Sequence, residues 1–368
     1  MLIGIDASRA NKKFKTGVEW YSHCLIEEFK KIDRENQYFL YTDRPLVGEL
    51  AVCPANFHQK ILKWPLPKFW TLGRLTLEML MGQRPDVLFV PAHTLPLINP
   101  RKSVVTIHDI GFERFPEFYK WPDIAYHRFA IKTIKRCATK IITVSEFSKR
   151  EIMDVYKIPA EKIVVTHIGF VAPVADRVDL VRDEIKKISK QPFVLFVGRL
   201  EAKKNVARMI EAFGRVREKN PTIGLKFVLA GRPGFGYEKI LETMEKNNLN
   251  NDVVLLDWIS KEELGFLYRR ASALLFATLY EGFGIPPLEA MSVGCPVVCS
   301  NTTSLPEIVG NAALLVNPLD IENIADGLSQ ILFNDEKRKR YIEAGKLRAT
   351  TFTWESCARE TLNVLLSN

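Results

Sequence analysis

Along most of the chain, short uninterrupted apolar runs alternate with stretches whose apolar positions recur at helical spacing. LIGI, QYFLY, DVLFV, SVVTI, KIITV and KIVVT fall in the first half, and FVLFV, KFVLA, DVVLL, ALLFAT, PVVCS and ALLV in the second. Runs of this length, bounded by polar and turn-forming residues and separated by amphipathic segments, predict strands covered on both faces in parallel sheets. About six strands in each half suffice for a doubly wound sheet apiece. The polar segment VADRVDLVRDEIKKISKQ between them predicts a linker and a short helix. The pattern therefore predicts an α/β chain of two Rossmann-like domains facing across a cleft, one spanning 1–175 and the other 176–350. A last amphipathic helix, 351–368, is expected to cross back to the first domain.

In open α/β sheets ligands bind beyond the carboxyl ends of strands, so each strand-to-helix turn is a place to look for chemistry. After FVLFV come a turn at Gly198, a basic loop with Arg199, Lys203 and Lys204, and a helix with Asn205 near its cap. The helix dipole disfavours a cation at that end by ~0.3–1 kcal/mol. Lysines there make sense with an anion such as phosphate between them; a merely solvated surface is the alternative reading.

The stretch EGFGIPPLEA, 281–290, follows a strand expected over 272–278. Gly282 and Gly284 keep the turn free of Cβ atoms, so that backbone N–H groups around Phe283 and Ile285 can approach a ligand. Pro286 and Pro287 preset φ for a helix whose first turn is expected to hold Glu289, while Glu281 stays on the loop. A carboxylate accepts two hydroxyl hydrogen bonds at once, which suits the diol of a sugar or ribose.

With Glu281 and Glu289 in E-x7-E, Arg199 and Lys204 in GRLEAKKN, and TSLPEIVGNAALLVNPLD downstream, the second half resembles the retaining glycosyltransferases of family 4, which have the GT-B fold. The resemblance implies that Arg199 and Lys204 grip the diphosphate of a nucleotide-sugar donor beside Gly198. It implies that Glu281 and the turn through Gly282, Phe283, Gly284 and Ile285 hold the donor sugar, and that Glu289 holds the ribose. Ile259, after DVVLLDW, would meet the base through its backbone. One departure stands out: many members carry a glycine pair where this chain has NTTSLPE. Ser304 and Pro306 still predict the start of a short helix there.

The first half resembles the same family more loosely. HDIGFERFPEFY puts His108 and Asp109 just past a strand end, and the family's matching histidine lies beside the donor sugar. KTGVEWYSHCL resembles the family's early glycine loop, with Gly17 letting backbone near the acceptor or a phosphate; VPAHTLP and VSEFSKRE add His93 and Ser145 as candidates. The style of these segments is similar to bacterial mannosyltransferases of surface-polysaccharide assembly, which implies GDP-mannose as donor and a glycan or lipid-linked acceptor.

Composition narrows the classes. A chain of 368 residues, 47% hydrophobic and 26% charged, has ample core material and is not disordered. It has no run of the ~20 apolar residues a membrane span needs, and MLIGIDASRA lacks the layout of a secretory signal, so a cytoplasmic location is expected. Its six scattered cysteines read as reduced thiols. The net charge of +9 is uneven: residues 1–175 hold 26 Lys and Arg against 18 Asp and Glu, leaving 26 against 25 for the rest. With Lys63, Trp64, Lys68, Phe69, Trp70 and Arg74 in 61–82, that excess suits an anionic membrane surface; a core helix with a basic rim is the alternative. Nucleic acid is not the expected partner, since no binding module is recognisable. No D-x-D occurs, so neither metal nor other cofactor is expected. A nucleotide-sugar epimerase on a similar fold and a basic nucleic-acid-binding protein are the alternative functions.

Overall fold

The computed structural model describes residues 1–13, 15–66, 69–173 and 177–367. Internal contacts divide it into one unit of Met1–Gly169 with the C-terminal segment from Phe352, and a second of Phe170–Thr351. The first crossing between units is thus at Gly169–Phe170. The expected boundary at 175/176 and the opening of the expected linker, 174–176, lie outside the described residues.

The first unit is built on β1 (Leu2–Asp6), β2 (Gln37–Thr42), β3 (Phe57–Ile61), β4 (Val87–Val90), β5 (Lys102–Ile107), β6 (Lys140–Thr143) and β7 (Ile163–Val165). They form one parallel sheet in the order β3-β2-β1-β4-β5-β6-β7. The apolar runs became central strands because helices cover both faces: Ile3, Ile5, Leu88, Val105 and Ile141 are fully buried. The pattern did not predict β3, whose sequence FHQKI is polar and largely exposed, as an edge strand tolerates. Helix Trp354–Leu366 packs on helix Gly17–Ile32. The returning chain passes so close to Gly169 that a Cβ there would stand 2.2 Å from the Trp354 nitrogen.

The second unit holds β8 (Phe193–Val197), β9 (Lys226–Ala230), β10 (Val253–Leu256), β11 (Ala273–Phe276), β12 (Val297–Ser300) and β13 (Leu314–Val316). They too are parallel, in the order β10-β9-β8-β11-β12-β13. Helix Val206–Lys219 buries Met209, Ile210, Phe213 and Val216, and its Phe213 ring lies 5.4 Å from that of Phe227 on β9. In each sheet the strand order reverses beside the first strand, between β1 and β4 and between β8 and β11. Successive crossovers diverge there and leave a crevice beyond the strands' carboxyl ends.

Candidate active site

In the second unit, the loops leaving β8 and β11 meet at that reversal. Gly198 follows β8 with φ 146°, and Gly231, at the end of β9, has φ 157°. A Cβ on Gly231 would lie 1.9 Å from the Gly198 carbonyl oxygen, so the two backbones can cross only at glycine. The loop is held open by Leu200 N donating to Arg232 O at 2.9 Å, and closes into a single 3-10 turn, Ala202–Lys204.

Asn205, expected as the helix cap, has φ 61° and makes no capping bond. Its Nδ2 instead donates to Ala277 O at 2.8 Å and Pro318 O at 2.7 Å, tying the basic loop to the ends of β11 and β13. Leu279 N donating to Lys203 O at 3.0 Å adds a backbone tie to the same loop.

These ties set Lys204 against Glu281, Nζ to Oε1 at 2.6 Å, with both side chains largely buried. Glu201 is the counter-anion of the other two cations, 3.8 Å from Arg199 Nε and 3.5 Å from Lys203 Nζ. The Arg199 side chain is 65% exposed and so can turn toward a ligand.

The turn after Glu281 is stapled from below. The Ser304 hydroxyl lies 2.9 Å from Glu281 O and 2.8 Å from Phe283 O, and donates to them. Gly284 has φ 110°, and a Cβ there would meet Leu305 Cδ2 at 2.6 Å. Thr303, in the NTTSLPE stretch, has a left-handed backbone, φ 62°, a costly conformation for a β-branched residue.

Helix Ile285–Ser292 starts with Pro286 and Pro287 as expected, but Glu289 sits one turn further in than the first-turn position expected of it. It is densely surrounded with one edge open to solvent, and Oε2 accepts from Tyr268 OH at 3.0 Å. Burial raises its pKa to about 7, only partly opposed by Tyr268. Ile259 is half-buried beside Ser260, the cap of helix Lys261–Arg270.

In the first unit, His108 is buried after β5, with Nε2 3.3 Å from Pro91 O and the ring edge-on to Tyr21 at 4.6 Å. Donation to that carbonyl leaves Nδ1 as the accepting nitrogen. Asp109 Oδ1 accepts from Gly111 N at 2.9 Å, within its own turn. Gly17 is the first residue of its helix, whose cap Thr16 and third residue Glu19 form a capping box; an added Cβ at Gly17 would meet open space. Ser145 caps helix Glu146–Tyr156 by accepting from Ser148 N at 3.1 Å. Among the described residues no group of three or more His, Cys, Asp or Glu is placed to hold a metal ion.

The description "Glycosyltransferase Family 4" matches residues 16–170, and "Glycosyl transferases group 1" matches 178–348. O-antigen chain mannosyltransferase B of Escherichia coli is 31% identical over 265 residues, 71% of this chain and 69% of that protein. The chain belongs to glycosyltransferase family 4. This glycosyltransferase is also 29% identical over 280 residues to the O-antigen chain mannosyltransferase RfbU of Salmonella typhimurium, covering 73% of each. Sucrose-phosphate synthase of Thermosynechococcus elongatus superposes with a TM-score of 0.75 at 18% identity over 99% of this chain and 98% of that one. HepE of Anabaena, in complex with UDP and glucose, gives 0.75 at 19% over the same shares. The fold of the glycosyltransferase is GT-B.

Of the residues singled out in sequence, the structure of the glycosyltransferase joins Lys204 directly to Glu281 and sets Arg199 and Gly198 on the same loop. Glu289 is held separately by Tyr268, and His108, Asp109 and Gly17 belong to the other unit. Ser304 is the N-cap residue of helix Leu305–Val309, the short helix expected to start there, but sequence reasoning missed its bonds beneath the Glu281 turn, and missed Glu201 and Tyr268 altogether. Glu201 lay within the quoted motif and, as an acid among three cations, could have been found; the other two act only through contacts distant in sequence.

Proposed function

We propose that this glycosyltransferase moves mannose from GDP-mannose to a hydroxyl of a cell-surface glycan carried on a lipid, with retention of anomeric configuration and no metal ion. The observation that carries the reading is the Lys204–Glu281 pair at the carboxyl ends of β8 and β11. It puts a cation for diphosphate beside a carboxylate for sugar hydroxyls. The mannosyltransferase relatives support the choice of sugar and glycan, and a solved neighbour bound to UDP and glucose supports a nucleotide-sugar donor.

Arg199 and Lys204 neutralise the departing diphosphate, the charge a metal would otherwise supply. Glu281 positions the sugar, and the turn from Gly282 through Phe283 and Gly284 to Ile285 offers backbone N–H groups. Glu289 takes the ribose diol, and Ile259 lies by the base. As the bond from the anomeric carbon to the phosphate oxygen breaks, the acceptor oxygen bonds to the same face of that carbon and its proton passes to the leaving phosphate. Glu281 then forms no covalent adduct. In the first unit, His108 is assigned a catalytic role, and Asp109 and Gly17 the acceptor or a phosphate.

Segment 61–82 exposes Ile61, Leu66, Phe69, Leu77, Leu80 and Met81. The helix expected there is only Thr76–Met81, entered through a π turn at Thr71–Leu75, while Lys68 lies outside the described residues. We place a peripheral contact with anionic headgroups on this surface; flotation with anionic liposomes should carry the protein at low salt and release it at high salt. Among the described residues no helix is long and apolar enough to cross a membrane.

The deciding experiment is thermal stabilisation by GDP, UDP, ADP and their sugar conjugates with chelator present. Ligand at a hundred times its dissociation constant adds ~2.7 kcal/mol. A shift confined to GDP and GDP-mannose supports the reading. A shift confined to another nucleotide overturns the donor, and none at all overturns the diphosphate role of Arg199 and Lys204.

A further inference from the structure

Beyond the ends of β8 and β9 the two chains keep running side by side. The register of the strands, Val197 with Ala230, carries on to a bridge between Leu200 and Pro233. Leu200 N donates to Arg232 O at 2.9 Å, Gly234 N to Leu200 O at 2.9 Å and Ala202 N to Phe235 O at 2.8 Å. One position before the bridge on each chain, this ribbon sets Arg199 beside Arg232. Residues paired in register share a face of a sheet.

The neighbouring glycine agrees with that placement. A Cβ on Gly234 would stand 3.0 Å from Arg199 Nε and 3.1 Å from its Cγ, so the Arg199 side chain lies across Gly234, two positions beyond Arg232. Both arginines are exposed. Arg199 comes no nearer to Glu201 than 3.8 Å, and the Arg232 guanidinium has neither a hydrogen bond nor an ion pair among the described residues.

Two guanidinium groups side by side repel each other unless an anion lies between them. The loops leaving β8, β9 and β11 hold four cations, Arg199, Lys203, Lys204 and Arg232, against two carboxylates, Glu201 and Glu281, an excess of two positive charges. A diphosphate supplies the matching negative charge. Each planar guanidinium can hold two of its oxygens at once, and Gly234 keeps the floor beneath them bare.

We infer that Arg232 binds the diphosphate of the donor together with Arg199, the two guanidinium groups closing on it over Gly234. The donor as the source of that diphosphate rests on the function proposed above; the affinity of Arg232 for a diphosphate does not.

The test is calorimetric titration of the whole protein with inorganic pyrophosphate and with GDP. Arg232→Ala, at an exposed position, should leave the melting temperature of the unliganded protein in place. It should weaken pyrophosphate and GDP alike by about tenfold to a hundredfold, the loss of a hydrogen bond between charged groups. Arg232→Lys, which keeps the charge without the fork, should recover part of the loss. Saturating GDP should displace pyrophosphate from the parent protein. A loss confined to GDP would place Arg232 on the nucleoside and overturn the inference, as would an unchanged affinity for both or a parent that takes up no pyrophosphate. Pyrophosphate still bound beside saturating GDP overturns the donor as its source. Pyrophosphate binding that depends on Arg232 in a protein that no nucleotide stabilises would defeat the donor reading and leave Arg232 a diphosphate-binding residue.

Discussion

Lys204 and Glu281, 77 residues apart in sequence, are joined Nζ to Oε1 at 2.6 Å, with only 16% and 13% of their side chains exposed. Each carries the charge that makes the other tolerable out of water. Lys204→Ala should lower kcat/KM about a hundredfold, the usual cost of one charge-stabilising contact, and Lys204→Arg should lose less. Steady-state kinetics on protein shown to be folded by circular dichroism decides it; full activity in the alanine variant would end the diphosphate assignment.

Nucleotide affinity should depend on pH through Glu289. Its carboxyl is raised from 4.5 to about 7 by burial, so the folded state holds a proton that the unfolded state has released. Stability from this group is full below the unfolded value of about 4.5 and is lost as pH rises through about 7. Ligand binding runs the other way, because only the carboxylate can accept from both hydroxyls of a diol. GDP affinity should fall as pH drops below 7, and Glu289→Gln should bind weakly with a flat profile and be more stable than the parent at pH 8. Calorimetric titration and thermal melts across pH check both signs.

Three glycines should respond differently to alanine. At Gly231 the new Cβ meets a backbone oxygen that cannot swing away, so this variant should be the least stable. At Gly284 it meets a leucine side-chain tip, and φ 110° adds strain of about 1–3 kcal/mol. At Gly17 nothing lies within 4 Å and φ is not positive, so the melting temperature should hold or rise. A stable Gly17→Ala protein with impaired transfer would support close ligand approach there, and unimpaired transfer would remove Gly17 from the site.

Asn205→Ala should destabilise the second unit by about 3 kcal/mol, because it strips the donor from two carbonyls, Ala277 O and Pro318 O, in a buried setting. Asn205→Asp should fare little better, since it offers acceptors to acceptors. Denaturant unfolding of both variants gives the numbers; a loss within experimental error would show that Asn205 is not what ties the basic loop to β11.

Among the described residues, twelve of the thirteen strands were legible because each is a short apolar run, as a strand buried on both faces must be and as the edge strands β7, β10 and β13 also are, and that is a local property. The exception, β3, has FHQKI at the sheet edge and carries no such mark. Strand limits were less legible: β11 is Ala273–Phe276 where 272–278 was expected, since Ala277 O serves Asn205 and the chain turns away. The glycines and prolines of 281–290 were readable for the same local reason, as their roles follow from their own φ preferences.

What the sequence determined by itself is thus the class of fold, the two sheets, and which loops carry charge beside glycine. Periodicity and turn chemistry act over a few residues and are written in consecutive letters. What only the tertiary structure decided is who meets whom: Lys204 with Glu281, Glu289 with Tyr268, Ser304 beneath the Glu281 turn, His93 beside His127. Each of these pairs depends on the order of strands in a sheet and on how helices lie over it. That order is set by the packing of the whole core, and no short stretch of the chain contains it.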